Sequence, residues 1–191
     1  YLHHTAKVCS NTSSFYLRIL RATYNKAVVK GLTPQQHPFA DVYTGIAKTV
    51  KRAIPAETVS QIRHLESVTR LTPEEEMARD TFLMSFYLRG ISFIDLAHLR
   101  KSDLKDGYLN YTRSKTGQRL TIRWEKEMQD LLEKYQAQTV SLPYLFPFLV
   151  AEGNKSQDNT IGRMQEEVRL YHNAEARISY HLGKLGTKIG I

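Results

Sequence analysis

Apolar positions recur at helical spacing through most of the chain and alternate strictly only once. In residues 12–31, TSSFYLRILRATYNKAVVKG, Phe15, Ile19, Ala22 and either Tyr24 or Ala27 make one apolar face of a helix. Thr12, Ser13 and Ser14 offer N-caps, and Gly31 with Pro34 close behind marks the stop. A second helix starts at Pro55 and runs through AETVSQIRHLES. Thr72-Pro73 followed by Glu74–Glu76 opens a third, with a cap, proline in the first turn and acids facing the helix dipole. That helix continues through Phe82, Leu83, Phe86 and Tyr87 to Gly90, and Ser92–Leu99 makes the next short one.

The pattern then changes to period two. Gly107–Arg113 and Arg119–Trp124 alternate at Leu109/Tyr111 and Leu120/Ile122, predicting a β-hairpin whose turn is Ser114-Lys115-Thr116-Gly117-Gln118. Glu125–Gln138 returns to helical spacing with Met128, Leu131, Leu132 and Tyr135 inward. Leu142–Val150 reads as an apolar connector, Glu152–Thr160 as a polar loop, and 161–191 as one or two helices. The expected fold is mainly α with a small β-hairpin or sheet, a third strand being open. A helical piece over 1–45 joins through a basic linker, 46–55, to a domain over 56–191; the extended stretch begins as early as Pro38.

Composition narrows the classes. With 191 residues, 41% of them hydrophobic, the chain can bury a real core. Its apolar stretches, Phe82–Leu88 and the proline-interrupted Leu142–Ala151, are too short or too broken to span a bilayer, and the first residues lack the apolar core of a secretory signal. One cysteine, Cys9, excludes an internal disulfide and a cysteine zinc cluster, which suits the cytoplasm. His3-His4 stands without supporting ligands. No metal or small-molecule cofactor is expected, and no glycine-rich phosphate loop or Ser/His/Asp arrangement stands out.

The net charge of +8 is uneven. Residues 1–55 carry eight Lys/Arg against the single acid Asp41, a net +7; residues 56–191 carry 19 bases and 18 acids. A basic segment beside a nearly neutral domain points to a polyanionic partner, nucleic acid or an anionic surface. Arg18, Arg21, Lys30, Lys48, Lys51 and Arg52 are its candidate DNA-backbone contacts, and Arg113 and Arg119, flanking the hairpin turn, are two more.

The order from Arg79 to Trp124, an apolar helix, a Gly break, a second helix start and a hairpin with lysine in its turn, resembles the first half of the catalytic domain of tyrosine recombinases, the phage integrase family. Gly90-Ile91-Ser92-Phe93-Ile94-Asp95 aligns with the family's first box, which usually runs Gly, apolar, Arg, two residues, acid. The acid is present as Asp95. Ser92 occupies the arginine slot, and Arg89, three residues earlier, would share a face with it if the helix ran through. An Arg-Gly-apolar-Ser-Phe sequence of this kind resembles Bacteroides-type integrases. Lys115 matches the family's hairpin lysine.

The resemblance implies phosphoryl transfer without metal. Preorganised cations offset the charge growing on the scissile phosphate, a lysine protonates the leaving oxygen, and a tyrosine forms a 3′-phosphotyrosyl intermediate. Arg89 and Lys115 would be catalytic, with Ser92 and Asp95 supporting; double-stranded DNA would be the partner, bound by a homo-oligomer, a tetramer in the parent protein. Residues 13–32 resemble the last helices of the helical (SAM-like) core-binding domain. No His-x-x-Arg tetrad occurs, and Tyr171 and Tyr180 read as packing residues. The chain therefore resembles an internal fragment that stops before that box and the nucleophile, inactive by itself. The alternatives are a non-catalytic DNA-binding regulator derived from a recombinase, which Ser92 in the arginine slot favours, and a helical protein-interaction domain.

Overall fold

The computed structural model describes residues 8–49, 53–150 and 160–191. The chain divides into two compact units, 1–53 and 54–191, each considered by itself.

The first unit is built on α1, Ser10–Val29, which begins earlier than the serine-rich start predicts, with Cys9 at the N-cap and no side-chain cap. Its helix stops as expected. Gly31 takes φ +68°, and the N–H groups of Gly31 and Leu32 return to the carbonyls of Val28 and Ala27, a Schellman closure. The predicted apolar face is covered only at its far end, where Tyr24 meets Phe39: Phe15 is 50% and Ile19 52% exposed, and the buried residues of α1 are Ser13 and Ser14. The stretch from Pro38, read as extended linker, instead folds back along the polar side of α1. Asn11 exchanges two hydrogen bonds with the backbone of Ala47, Ser14 donates to the Gly45 carbonyl, Arg21 donates to Thr44, and the Tyr24 hydroxyl donates to the Pro34 carbonyl. These polar side chains compete successfully for the return segment because its backbone groups have no sheet or helix to satisfy them.

The second unit contains the core. α2 (Ala56–Arg63) and α3 (Leu65–Val68) form one helical stretch broken at His64. α4 spans Pro73–Tyr87 behind a complete capping box: Thr72 Oγ1 accepts from Glu75 N–H and the Glu75 carboxylate accepts from Thr72 N–H. α5 is short, Phe93–Ala97. The sheet is antiparallel in the order β1 (Leu104–Lys105), β2 (Tyr108–Thr112), β3 (Arg119–Arg123), so the open third strand exists and pairs with β2. The helix predicted over 125–138 is two, α6 (Lys126–Glu133) and α7 (Gln136–Thr139), with Tyr135 buried at the break. A single long helix, α8 (Thr160–Ile189), closes the unit against α4. Of the stretch Glu152–Thr160 read as a loop, residues 152–159 lie outside the described residues and Thr160 instead opens α8.

Leu83, Met84, Leu88, Leu96, Leu109, Ile122, Phe146, Ala174 and Ile178 are among the residues that meet in one apolar core. At roughly 1.5–3 kcal/mol for each large side chain fully buried, this cluster dominates the unit's stability. A buried polar network crosses it. Arg79, 1% exposed, bonds Glu66 at 2.6 Å and Asp80 at 2.8 Å; Asp80 also accepts from the Tyr135 hydroxyl at 2.9 Å and pairs with Lys134 at 3.3 Å. Burial and the Asp80 charge raise the Tyr135 hydroxyl far above its ordinary range, so it stays protonated and donates to Asp80. At the other end of α4, Lys188 of α8 reaches Glu75 at 2.8 Å.

Candidate functional site

The predicted cations of the second unit lie at the end of α4, Arg89, and on the β2–β3 hairpin, Arg113, Lys115 and Arg119. α4 ends at Tyr87 with Leu88 as C-cap, so it does not run through to Ser92 and the shared-face argument for Arg89 fails. Arg89 instead occupies the C′ position of a Schellman closure. Its N–H bonds the Phe86 carbonyl at 3.0 Å, and Gly90 N–H bonds the Ser85 carbonyl at 2.8 Å. Arg89 takes φ +58° and Gly90 φ +79°. α1 and α8 end in the same closure with Gly31 and Gly190 at the left-handed position; α4 puts an arginine there. A left-handed non-glycine residue costs about 1–2 kcal/mol, and the position turns the Arg89 side chain out at an exposed corner.

Asp95 joins this corner to the hairpin. It is 5% exposed and its two oxygens are divided. Oδ2 accepts from the Ser92 hydroxyl at 2.6 Å, and Oδ1 accepts from Ser114 N–H at 2.9 Å and from the Ser114 hydroxyl. Burial pushes this carboxyl up, but the bonds from Ser114 and Ser92 and the nearby Arg113 charge outweigh it and hold the group below the usual aspartate range. A second bridge runs from Arg113 Nη2 to the Gly90 carbonyl at 3.5 Å. Arg89 is therefore next in sequence to one anchored residue, Gly90, and Lys115 next to another, Ser114. Both side chains are exposed, and neither has an ion-pair partner among the described residues. Ser92, with its hydroxyl committed to Asp95, supports the corner and leaves no cation in that slot.

The sequence reading missed Ser114 and the Gly90 carbonyl. A serine immediately before the turn lysine was the available signal, but its partner lies 19 residues away. Arg119 is exposed on β3 and lines a cavity of about 580 Å³ together with Asp95, His98, Asn110, Tyr111 and Ser114. Above this cavity His98 sits against α8, its Nδ1 on the Ile94 carbonyl at 2.7 Å and its Nε2 3.2 Å from Glu167.

The remaining candidates belong to the first unit. Arg18, Lys30 and Lys48 are exposed, Lys30 as the C-cap of α1, and Arg21 is tied to Thr44. Lys51 and Arg52 lie outside the described residues. Of the two late tyrosines, Tyr171 packs against Phe93 and its hydroxyl, which donates to Glu175, is pushed up to about 12 by burial and by that carboxylate. Tyr180 is not a packing residue: it is 61% exposed, with Lys184 over its ring. It lies on the outer side of α8, away from the positions Ala174, Ile178 and Leu185 that enter the core. No group of three or more metal-ligating side chains occurs among the described residues, and no helix there is long and apolar enough to cross a membrane.

No protein-family model matches the chain, and no curated protein matches it in sequence. Solved structures match in fold, which is mainly helical with a small antiparallel sheet and resembles the lambda integrase catalytic domain. A lambda integrase tetramer bound to a Holliday junction superposes with a TM-score of 0.51 at 17% identity, over 81% of this chain and 43% of that one. A lambda integrase(75-356) dimer bound to a COC′ core site gives 0.50 at 17% identity, over 82% of this chain and 53% of that one. The chain thus spans about half the length of these integrases. At this identity the likeness is one of fold.

Proposed function

We propose that this chain is the DNA-binding, N-terminal part of a tyrosine-recombinase catalytic domain together with the end of a core-binding domain, from a protein that cuts and rejoins DNA through a 3′-phosphotyrosyl intermediate. Arg89 replaces the missing first-box arginine and Lys115 serves as the hairpin lysine. The observation that carries the reading is the arginine at a left-handed helix terminus, where α1 and α8 use glycine, anchored through Gly90 and Asp95 to the turn bearing Lys115. Strain kept at a position where glycine would relieve it points to a functional side chain. The fold likeness supports the same reading, as does the Arg-Gly-apolar-Ser-Phe sequence of Bacteroides-type integrases.

In this reading two cations meet one phosphodiester. The planar guanidinium donates two hydrogen bonds to non-bridging oxygens, and the lysine ammonium offsets charge and protonates the departing oxygen. Arg113 and Arg119 hold neighbouring phosphates, while Arg18, Arg21, Lys30, Lys48, Lys51 and Arg52 grip the duplex from the first unit. The active form is a homo-oligomer on duplex DNA. This chain alone binds DNA without cleaving it, since it has no His-x-x-Arg tetrad.

Ser92 favours a second reading, a recombinase-derived DNA-binding regulator, because its hydroxyl is spent on Asp95 where the family carries a guanidinium. Duplex binding measured against salt tests the common part of both. The logarithm of the affinity should fall with the logarithm of salt by roughly 0.9 for each phosphate neutralised. Absence of duplex binding, or binding indifferent to salt, sinks both. Trapping of a covalent adduct on a nicked substrate by the parent protein separates the enzyme from the regulator.

A further inference from the structure

The outer face of the three-stranded sheet shares Asn110 and Arg119 with the cavity beside Asp95, but its row at Tyr108 has no part in the site above, and its composition is ordered. Alternation turns Leu109, Tyr111, Leu120 and Ile122 inward. The outward residues fall into rows set by strand register. Lys105 lies opposite Tyr108, and Tyr108 opposite Arg123, one row across all three strands. Asn110 lies opposite Thr121, whose hydroxyl donates to it at 2.7 Å, and Thr112 lies opposite Arg119. Directly opposed side chains stand about 5 Å apart, so each row is a contiguous strip. The rows contain three cations, one aromatic ring and no carboxylate.

Tyr108 is 47% exposed and has no ring partner among the described residues. Glu125 comes within 3.5 Å of Arg123, but both side chains are more than half exposed, and such pairs are too solvated to hold a guanidinium against a phosphate. Asp106 sits in the β1–β2 turn, outside the rows.

We propose that this face binds single-stranded DNA, with one base stacked on Tyr108, phosphates on Lys105 and Arg123, and a further phosphate on Arg119. The ring decides the ligand class. Base faces are hidden in a duplex and open in a single strand, so only an unpaired strand gains from an exposed aromatic between two cations. From Tyr108 to Thr112, the partner of Arg119, the strand advances about 13 Å at ~3.3 Å per residue, room for an extended strand to run along β2. The proposal does not depend on the recombinase reading, although a reaction that opens duplex DNA would supply such a strand beside the hairpin.

The test is a titration of the chain into a fluorescein-labelled single strand of about 12 nucleotides, and into the same sequence as a duplex, followed by anisotropy at low salt. Tyr108→Ala should weaken single-strand binding by about 5- to 150-fold, the range of one base–aromatic stack, and leave duplex binding unchanged. Tyr108→Phe should stay within about twofold of wild type, because the ring does the stacking. Lys105→Ala with Arg123→Ala should flatten the salt dependence for the single strand. Single-strand binding that is absent, insensitive to Tyr108→Ala, or lost in equal measure with duplex binding overturns the proposal. Tyr108-dependent single-strand binding without any duplex binding would uphold this face while sinking the recombinase reading.

Discussion

Asp95 accepts from both the backbone N–H and the hydroxyl of Ser114, 19 residues further on, and so fixes the base of the hairpin turn against the start of α5. Asp95→Ala would leave these donors and the Ser92 hydroxyl without their acceptor. The expected loss is about 1–3 kcal/mol in urea unfolding, with faster hydrogen exchange at Ser114 N–H. Asp95→Asn keeps one acceptor oxygen and should lose less. Full retention of stability in Asp95→Ala would mean the bridge does not hold the turn.

Arg89→Gly is expected to separate stability from binding. Glycine relieves the left-handed backbone, so the unfolding free energy from denaturant titration should rise by about 0.5–1 kcal/mol. Duplex DNA affinity should fall in the same protein. Unchanged affinity would assign Arg89 to the helix end alone.

In a full-length protein acting as the proposed recombinase, Lys115→Ala should slow strand cleavage far more than it weakens duplex binding. Equal losses, read from a cleavage time course beside a binding isotherm, would reduce Lys115 to a phosphate anchor.

Asp80→Ala strips Arg79, 1% exposed, of one of its two carboxylates and deprives the Tyr135 hydroxyl of its acceptor. Breaking a buried pair in this way costs about 3–5 kcal/mol. Tyr135→Phe removes one hydrogen bond and should cost about 1–2 kcal/mol. The ratio of the two losses, from denaturant titrations, reports whether the charge or the hydroxyl organises this joint.

Acid should loosen the second unit. Hydrogen bonding to Arg79 lowers Glu66, hydrogen bonding to Lys188 lowers Glu75, and the Ser114 and Ser92 bonds outweigh burial to lower Asp95. A carboxyl lowered by folding stabilises the native state above its unfolded pKa, near 4, and that contribution disappears as pH falls through the folded value. The melting temperature should therefore be level down to about pH 5 and drop below about pH 4. Lys188→Met should reduce the part of this drop owed to Glu75.

Local pattern sufficed for much of the fold. The Thr72–Glu75 cap, the stop at Gly31, the alternation of β2 and β3 and the inward Tyr135 depend on neighbours within a turn or a strand, so the residues themselves announce them. The breaks at His64 and at Lys134–Tyr135 escaped, because helical periodicity continues across both and only packing decides where a helix bends. The face of α1 was misjudged for a related reason. Apolar spacing says which residues share a side, whereas burial requires something to cover them, and the return segment covers the polar side through hydrogen bonds.

The candidate cations Arg89 and Lys115 were legible in order and residue type. Their relation to each other was not. Sequence by itself determined the helical stretches, the hairpin and the charge each carries, since these follow from spacing and side-chain chemistry over a few residues. Only the tertiary structure decided that α4 ends before Ser92, that an arginine takes the left-handed position, and that Asp95 and Gly90 draw the hairpin to it. Those are contacts between residues 19 and 23 positions apart, whose partners are chosen by the packing of whole elements and leave no periodic trace in the chain.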